Sequence, residues 1–126
     1  RKRRTPEQDF QKDCVKFLNA ALPPSWRVVH VPNGGTTGGH KAKIVGGIRK
    51  AMGVREGFPD LMLVGPGRSV AIELKAAGRR GKVLSTAQEE WRDWFASVGL
   101  PWFLARSIED VVAACQDAGV PLRVRV

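Results

Sequence analysis

Two acids and a lysine stand out in this chain: Asp60 after Pro59, and Glu73 and Lys75 in the run Ile72-Glu73-Leu74-Lys75. Leu61 to Val64 and Ser69 to Lys75 are strand-like runs joined by Gly65, Pro66, Gly67 and Arg68, a turn signal that predicts an antiparallel hairpin. Side chains alternate along a strand, so Ala71, Glu73 and Lys75 project to one face and Val70, Ile72 and Leu74 to the other. A register symmetric about Pro66 and Gly67 sets Asp60 opposite Glu73. Like charges placed so repel, and burial sharpens the repulsion, so a cation must resolve it. Oxygen donors of this kind suit Mg²⁺ or Mn²⁺, which activate water and offset charge on a phosphate. Lys75, about 6.6 Å along the strand from Glu73, is placed to orient the attacking water or stabilise the transition state. The bare pattern has a second reading, in which Asp60 is a turn residue and Glu73 with Lys75 is a solvated strand face. A Pro-Gly turn also suits type II geometry, whereas tight hairpins prefer the primed types.

The elements around the hairpin follow from caps and periodicity. Thr5, Pro6 and Gln8 open a helix as N-cap, first helical residue and capping-box partner. Phe10, Cys14, Phe17, Leu18 and Ala21 recur at helical spacing until Pro23 and Pro24. Arg27 to Val31 reads as a strand, Pro32 to Gly39 as a glycine-rich loop and Lys41 to Met52 as a basic helix interrupted by Gly46 and Gly47. Ser85 with Gln88 opens a helix carrying Trp91, Trp94, Phe95 and Val98, which Gly99 closes. Trp102 to Ala105 is a short strand, Ser107 caps a last helix through Ala118, and Leu122 to Val126 is a candidate edge strand. The tryptophans of helix and strand read as core, with Trp26 unassigned. The order predicts an α/β fold, a mixed central sheet flanked by helices, in one domain over residues 1–126 with a basic tail at 1–4.

Composition names the partner class. Lys and Arg number 21 against 12 Asp and Glu, a formal charge of +9, and the sequence pI is about 10.4. Such a balance favours a polyanion. The basic residues come in runs: Arg1 to Arg4, Lys41 to Arg55 including Lys43, and Arg79, Arg80 and Lys82 directly after the Glu73 strand. Phosphate contact is the expected role of the last group, and Asn33 with the glycines behind it could let backbone amides approach a phosphate. Cys14 and Cys115 fall in apolar helical patterns and read as core residues. No run is long enough for a membrane span and no secretory signal is evident, which predicts an intracellular setting: cytoplasm, nucleoid or a phage-infected host. Gly39 is followed by His40 rather than Lys, so the triphosphate-binding Gly-Lys-Ser/Thr step is absent. Neither His30 nor His40 has a partner at zinc spacing.

Gly57-Phe58-Pro59-Asp60-Leu61-Met62-Leu63, Ile72-Glu73-Leu74-Lys75, and Ser85 with Gln88 ahead of a Trp-bearing helix together resemble the VRR-NUC (virus-type replication-repair nuclease) branch of the PD-(D/E)xK nucleases. The resemblance covers nearly the whole chain, since Glu7 and Val31-Pro32-Asn33-Gly34-Gly35 also fit. It implies a restriction-endonuclease-like core in αβββαβ order, with metal held by Asp60, Glu73 and the Leu74 backbone carbonyl. It also implies that Lys75 assists catalysis and that Glu7 and Gln88 complete the site. Both fall on apolar stripes of their helices, as site residues would. An acid in a first turn also complements the helix dipole, and Gln88 also serves as a capping-box partner. By analogy the activity is endonucleolytic on structured DNA. Short stand-alone members resemble Holliday-junction resolvases acting as homodimers in DNA repair, whereas one long eukaryotic relative is a flap nuclease. The alternatives are a flap or nicking endonuclease, and a noncatalytic DNA-binding module. Intact Asp60, Glu73 and Lys75 weigh against the binding module, because phosphate binding gains nothing from acids in the groove.

Overall fold

The computed structural model describes residues 5–32, 56–78 and 83–123. Helix α1 (Pro6–Ala21) starts on a reciprocal capping box, the Thr5 hydroxyl accepting from the Gln8 N–H at 3.1 Å and the Gln8 side chain from the Thr5 N–H at 3.0 Å. Such caps are worth about 1 kcal/mol. Strand β1 (Arg27–His30) follows the Pro23-Pro24 break. Strands β2 (Leu61–Gly65) and β3 (Arg68–Leu74) form the hairpin. Helix α2 (Thr86–Ser97), strand β4 (Trp102–Ala105) and helix α3 (Ile108–Ala118) complete the described chain.

The sheet runs β1-β2-β3-β4, antiparallel except for the parallel pair β3-β4. The hairpin register is the symmetric one: Leu61 pairs with Ile72, Leu63 with Val70 and Gly65 with Arg68. The turn keeps it because Gly67 takes a φ of 70°, a position only glycine fills at no steric cost, behind a proline whose φ is already set. Pairing of this kind carries forward to bring Asp60 beside Glu73.

One core forms where Cys14, Leu18 and Leu22 of the α1 segment meet Leu61, Leu63, Val70, Ile72 and Leu74 of the hairpin and Val111, Ala114 and Cys115 of α3. Both cysteines are buried and unpaired with each other. Burial holds the Cys14 thiol up at about 12, with Asp13 adding to it, and the Cys115 thiol up at about 11, so both remain protonated, inert packing groups. Trp26 is core as well. Arg68 lies over its ring, 5.1 Å from the centroid, while the guanidinium donates to the carbonyl oxygens of Ala118 and, at 2.6 Å, Gly119. A cation at a helix C-terminus contributes about 0.3–1 kcal/mol.

Three expectations need correction. Trp94 and Val98 are each 48% exposed: helical spacing identified an apolar side of α2, but only Phe95 is fully buried against the sheet. The Arg27 strand ends at His30 rather than Val31. The described part of Leu122 to Val126 is not a strand. Instead the Arg123 N–H donates to the Ala21 carbonyl at 2.7 Å, satisfying an orphan acceptor at the end of α1. The expected Lys41 to Met52 helix and the basic tail 1–4 lie outside the described residues. Among the described residues, no helix is long and apolar enough to cross a membrane.

Candidate active site

The site is built where β2 begins and β3 ends. Asp60 immediately precedes β2, and its Oδ2 accepts the Leu74 N–H at 2.9 Å. That bond clips the loop to the far end of the hairpin and aims the carboxylate at Glu73. The approach depends on Gly57. Its φ is 81°, and a side-chain carbon there would sit 2.5 Å from the Ala87 carbonyl carbon, so only glycine lets the Asp60 loop press against the start of α2. Trp91 holds the same loop from α2, donating from Nε1 to the Glu56 carbonyl at 3.0 Å, and its ring meets Phe58 edge-on with centroids 4.9 Å apart.

Glu73 is 2% exposed and Lys75 9%, which excludes the solvated strand face. Burial pushes the Glu73 carboxyl up to about 9. The Asp60 charge, and a hydrogen bond with the Asp60 carboxyl group, push the same way, as Glu7 does more weakly, while Lys75 opposes them. Glu73 Oε2 accepts from Gln88 Nε2 at 3.0 Å. Glu73 Oε1 is buried without a donor: the neighbouring Asp60 carboxylate is itself an acceptor and satisfies Oε1 only when one of the two groups carries a proton. An orphaned carboxylate oxygen beside a second carboxylate is an arrangement that a cation completes.

Gln88 serves both roles open to it. Its Oε1 accepts the Ser85 N–H at 2.8 Å as the capping-box partner, and its Nε2 points the other way, into Glu73. The cap therefore fixes the orientation of the amide that holds the acid. Glu7 comes near enough to raise the proton affinity of Glu73. Even so, no group of three or more His, Cys, Asp or Glu side chains gathers for a metal among the described residues, so the side-chain acids here are the pair Asp60 and Glu73. Mg²⁺ and Mn²⁺ need no more, since one or two carboxylates with water and substrate phosphate satisfy Mg²⁺. The Leu74 carbonyl leaves β3 on the same edge as its N–H, the edge that Asp60 occupies.

A solved structure of a VRR_NUC domain protein matches the fold of this chain with a TM-score of 0.67, at 22% sequence identity, over 92% of this chain and 89% of the other. The fold is that of a VRR_NUC domain. The expected restriction-endonuclease-like α/β core is thereby borne out. No protein-family model matches the chain, and no curated protein matches it. Within this chain, Asp60, Gln88, Lys75 and Glu7 all act on Glu73, and Asp60 is bonded to the Leu74 N–H, so the six expected site residues come together. The expected DNA contacts Asn33, Lys41, Lys43, Arg79, Arg80 and Lys82 lie outside the described residues. His30, without a partner at zinc spacing, touches the Asp60 backbone instead. Its Nδ1 lies 3.3 Å from the Asp60 carbonyl oxygen, and the Val31 N–H donates to that same carbonyl at 2.9 Å, so β1 also holds the Asp60 backbone.

Proposed function

We propose that this chain is an Mg²⁺- or Mn²⁺-dependent endodeoxyribonuclease that hydrolyses DNA phosphodiester bonds. The observation that carries the proposal is the buried Glu73 carboxyl group, whose Oε1 has no donor other than a proton shared with the Asp60 carboxyl group beside it. Asp60 and Glu73 would hold the ion, with the Leu74 carbonyl as a third donor. When bound, such an ion lowers the pKa of a water nucleophile and offsets charge developing on the phosphate.

The chain's own residues supply the rest. Gln88 fixes the Glu73 carboxylate through Oε2 and leaves Oε1 without a donor. The bond from the Leu74 N–H fixes Asp60. Lys75, on the same strand face as Glu73 and largely withdrawn from water, sets a positive charge where the phosphate gains negative charge; such preorganised charge acts strongly in a site shielded from solvent. Glu7 adds negative field at the cleft and so strengthens its preference for a cation.

The family resemblance extends the proposal to branched DNA, with a four-way junction cut by a homodimer whose two sites act on opposing strands. The test is a panel of linear duplex, single strand, flap and four-way junction, each offered with Mg²⁺, Mn²⁺ or chelator. The expected outcome is cleavage only with metal, with paired cuts in the junction. Preference for a flap, or nicking by a monomer, would replace the junction reading. Failure to cut any of the four with either ion overturns the nuclease assignment.

A further inference from the structure

A trough runs between α1 and β1, away from the acidic pair. Its first part, about 470 Å³, is lined by Gln11, Lys12, Val15, Lys16, Asn19 and His30. The second, about 320 Å³, shares Asn19 and continues past Trp26, Arg27, Val28 and Arg123. Lys12, Lys16, Arg27 and Arg123 are all exposed. Among the described residues, no Asp or Glu lines either part, although α1 carries Glu7, Asp9 and Asp13. The trough therefore gathers cations from three separate segments of the chain and leaves the helix's acids outside it.

Its upper end, at His30, reaches the Asp60 backbone. His30 meets Gln11 Nε2 at 3.0 Å from its Nε2 and the Asp60 carbonyl at 3.3 Å from its Nδ1. The dimensions suit one nucleic-acid strand. Lys12 and Lys16 are about 6 Å apart along the helix axis, and His30 to Arg27 spans about 10 Å of strand, against one charge per roughly 3.4 Å of axis for each DNA strand. Val15 and Val28 add apolar lining, a kind of surface that lysine and arginine stems can cover while their charged groups stay in water.

We infer that the α1–β1 trough holds the sugar–phosphate backbone of the DNA strand that leads away from the Asp60–Glu73 cleft. The assignment of that strand rests on the nuclease reading; the polyanion surface itself does not. Lys12 and Lys16 grip the backbone near the cleft, and Arg27 and Arg123 grip it further along.

The test is binding of a fluorescent DNA duplex in chelator, across a salt series, for the wild type, Lys12→Ala/Lys16→Ala and Arg27→Ala/Arg123→Ala. All four side chains are exposed, and circular dichroism checks the fold; the Gln pairs at the same positions replace any Ala variant that fails to fold. Each lost phosphate contact should reduce the slope of log affinity against log salt by about 0.9, so each pair loses nearly two units. The loss of affinity between about 50 and 200 mM salt then shrinks roughly tenfold for each pair. Slopes equal to the wild type's overturn the trough, even if the wild type cuts DNA with Mn²⁺. Reduced slopes in a protein that cuts nothing would keep the trough and remove the nuclease.

Discussion

Without divalent ions, the Glu73→Gln protein is expected to be more stable than the wild type at pH 8, with the gap closing as the pH falls toward 5. The sign follows from the proton inventory. Glu73 binds its proton up to about pH 9 in the folded chain, against a reference of 4.5. Between those values the native state holds a proton that the unfolded state has released, so stability falls as pH rises through the window and levels off above it. Each unit of pKa difference corresponds to about 1.4 kcal/mol, and the accumulated loss is several kcal/mol. Glutamine keeps the shape and the bond to Gln88 through its own carbonyl oxygen, but has no charge to desolvate. Urea titrations of both proteins at pH 5, 7 and 9, in chelator, measure the effect. Parallel curves for the two proteins would show that Glu73 is not the buried proton carrier.

Lys75→Ala is expected to slow cleavage by about 10²–10³-fold, the usual size for removing one preorganised electrostatic group from a reaction centre, with DNA affinity little changed. A second readout separates chemistry from simple packing. Lys75 lowers the proton affinity of Glu73, so its removal should move the acidic limb of the residual pH–rate profile to higher pH. Lys75→Met, which restores most of the stem without the charge, should behave as the alanine does. If binding fails while bound DNA is still cut at the wild-type rate, Lys75 is a phosphate clamp rather than a participant in the reaction.

The hairpin was the most legible part of the fold, although one local signal spoke against it. Alternation identified the faces, and a register symmetric about Pro66 and Gly67, which a Pro-Gly turn alone does not dictate, placed Asp60 beside Glu73. The helix starts were legible because a capping box is a short-range device. Gln88 shows where short-range reading stops: capping and contact with the acid look like competing explanations in sequence, yet the two ends of one amide satisfy both. Trp94 marks a different limit, because periodicity gives the direction of an apolar face and not how much of it the sheet covers. The α1–β1 trough was hidden. Lys12 and Lys16 were a visible pair at one-turn spacing, but their relation to Arg27 and Arg123 exists only once β1 is placed at the sheet edge and Arg123 is tied to the end of α1. The Gly57 contact with Ala87 likewise joins residues that have no sequence relation.

The central claim is that Asp60 and Glu73 share a cleft that a divalent ion completes. Calorimetric titration of Mn²⁺ into the wild type and Glu73→Gln near neutral pH tests it most directly. The wild type should take up the ion saturably and release a proton, seen as a heat that varies with the ionisation enthalpy of the buffer, because Glu73 must lose its proton to bind; Glu73→Gln should release none and bind far more weakly. A wild type that takes up no ion at millimolar Mn²⁺, or one that binds it as the glutamine variant does, would contradict the account.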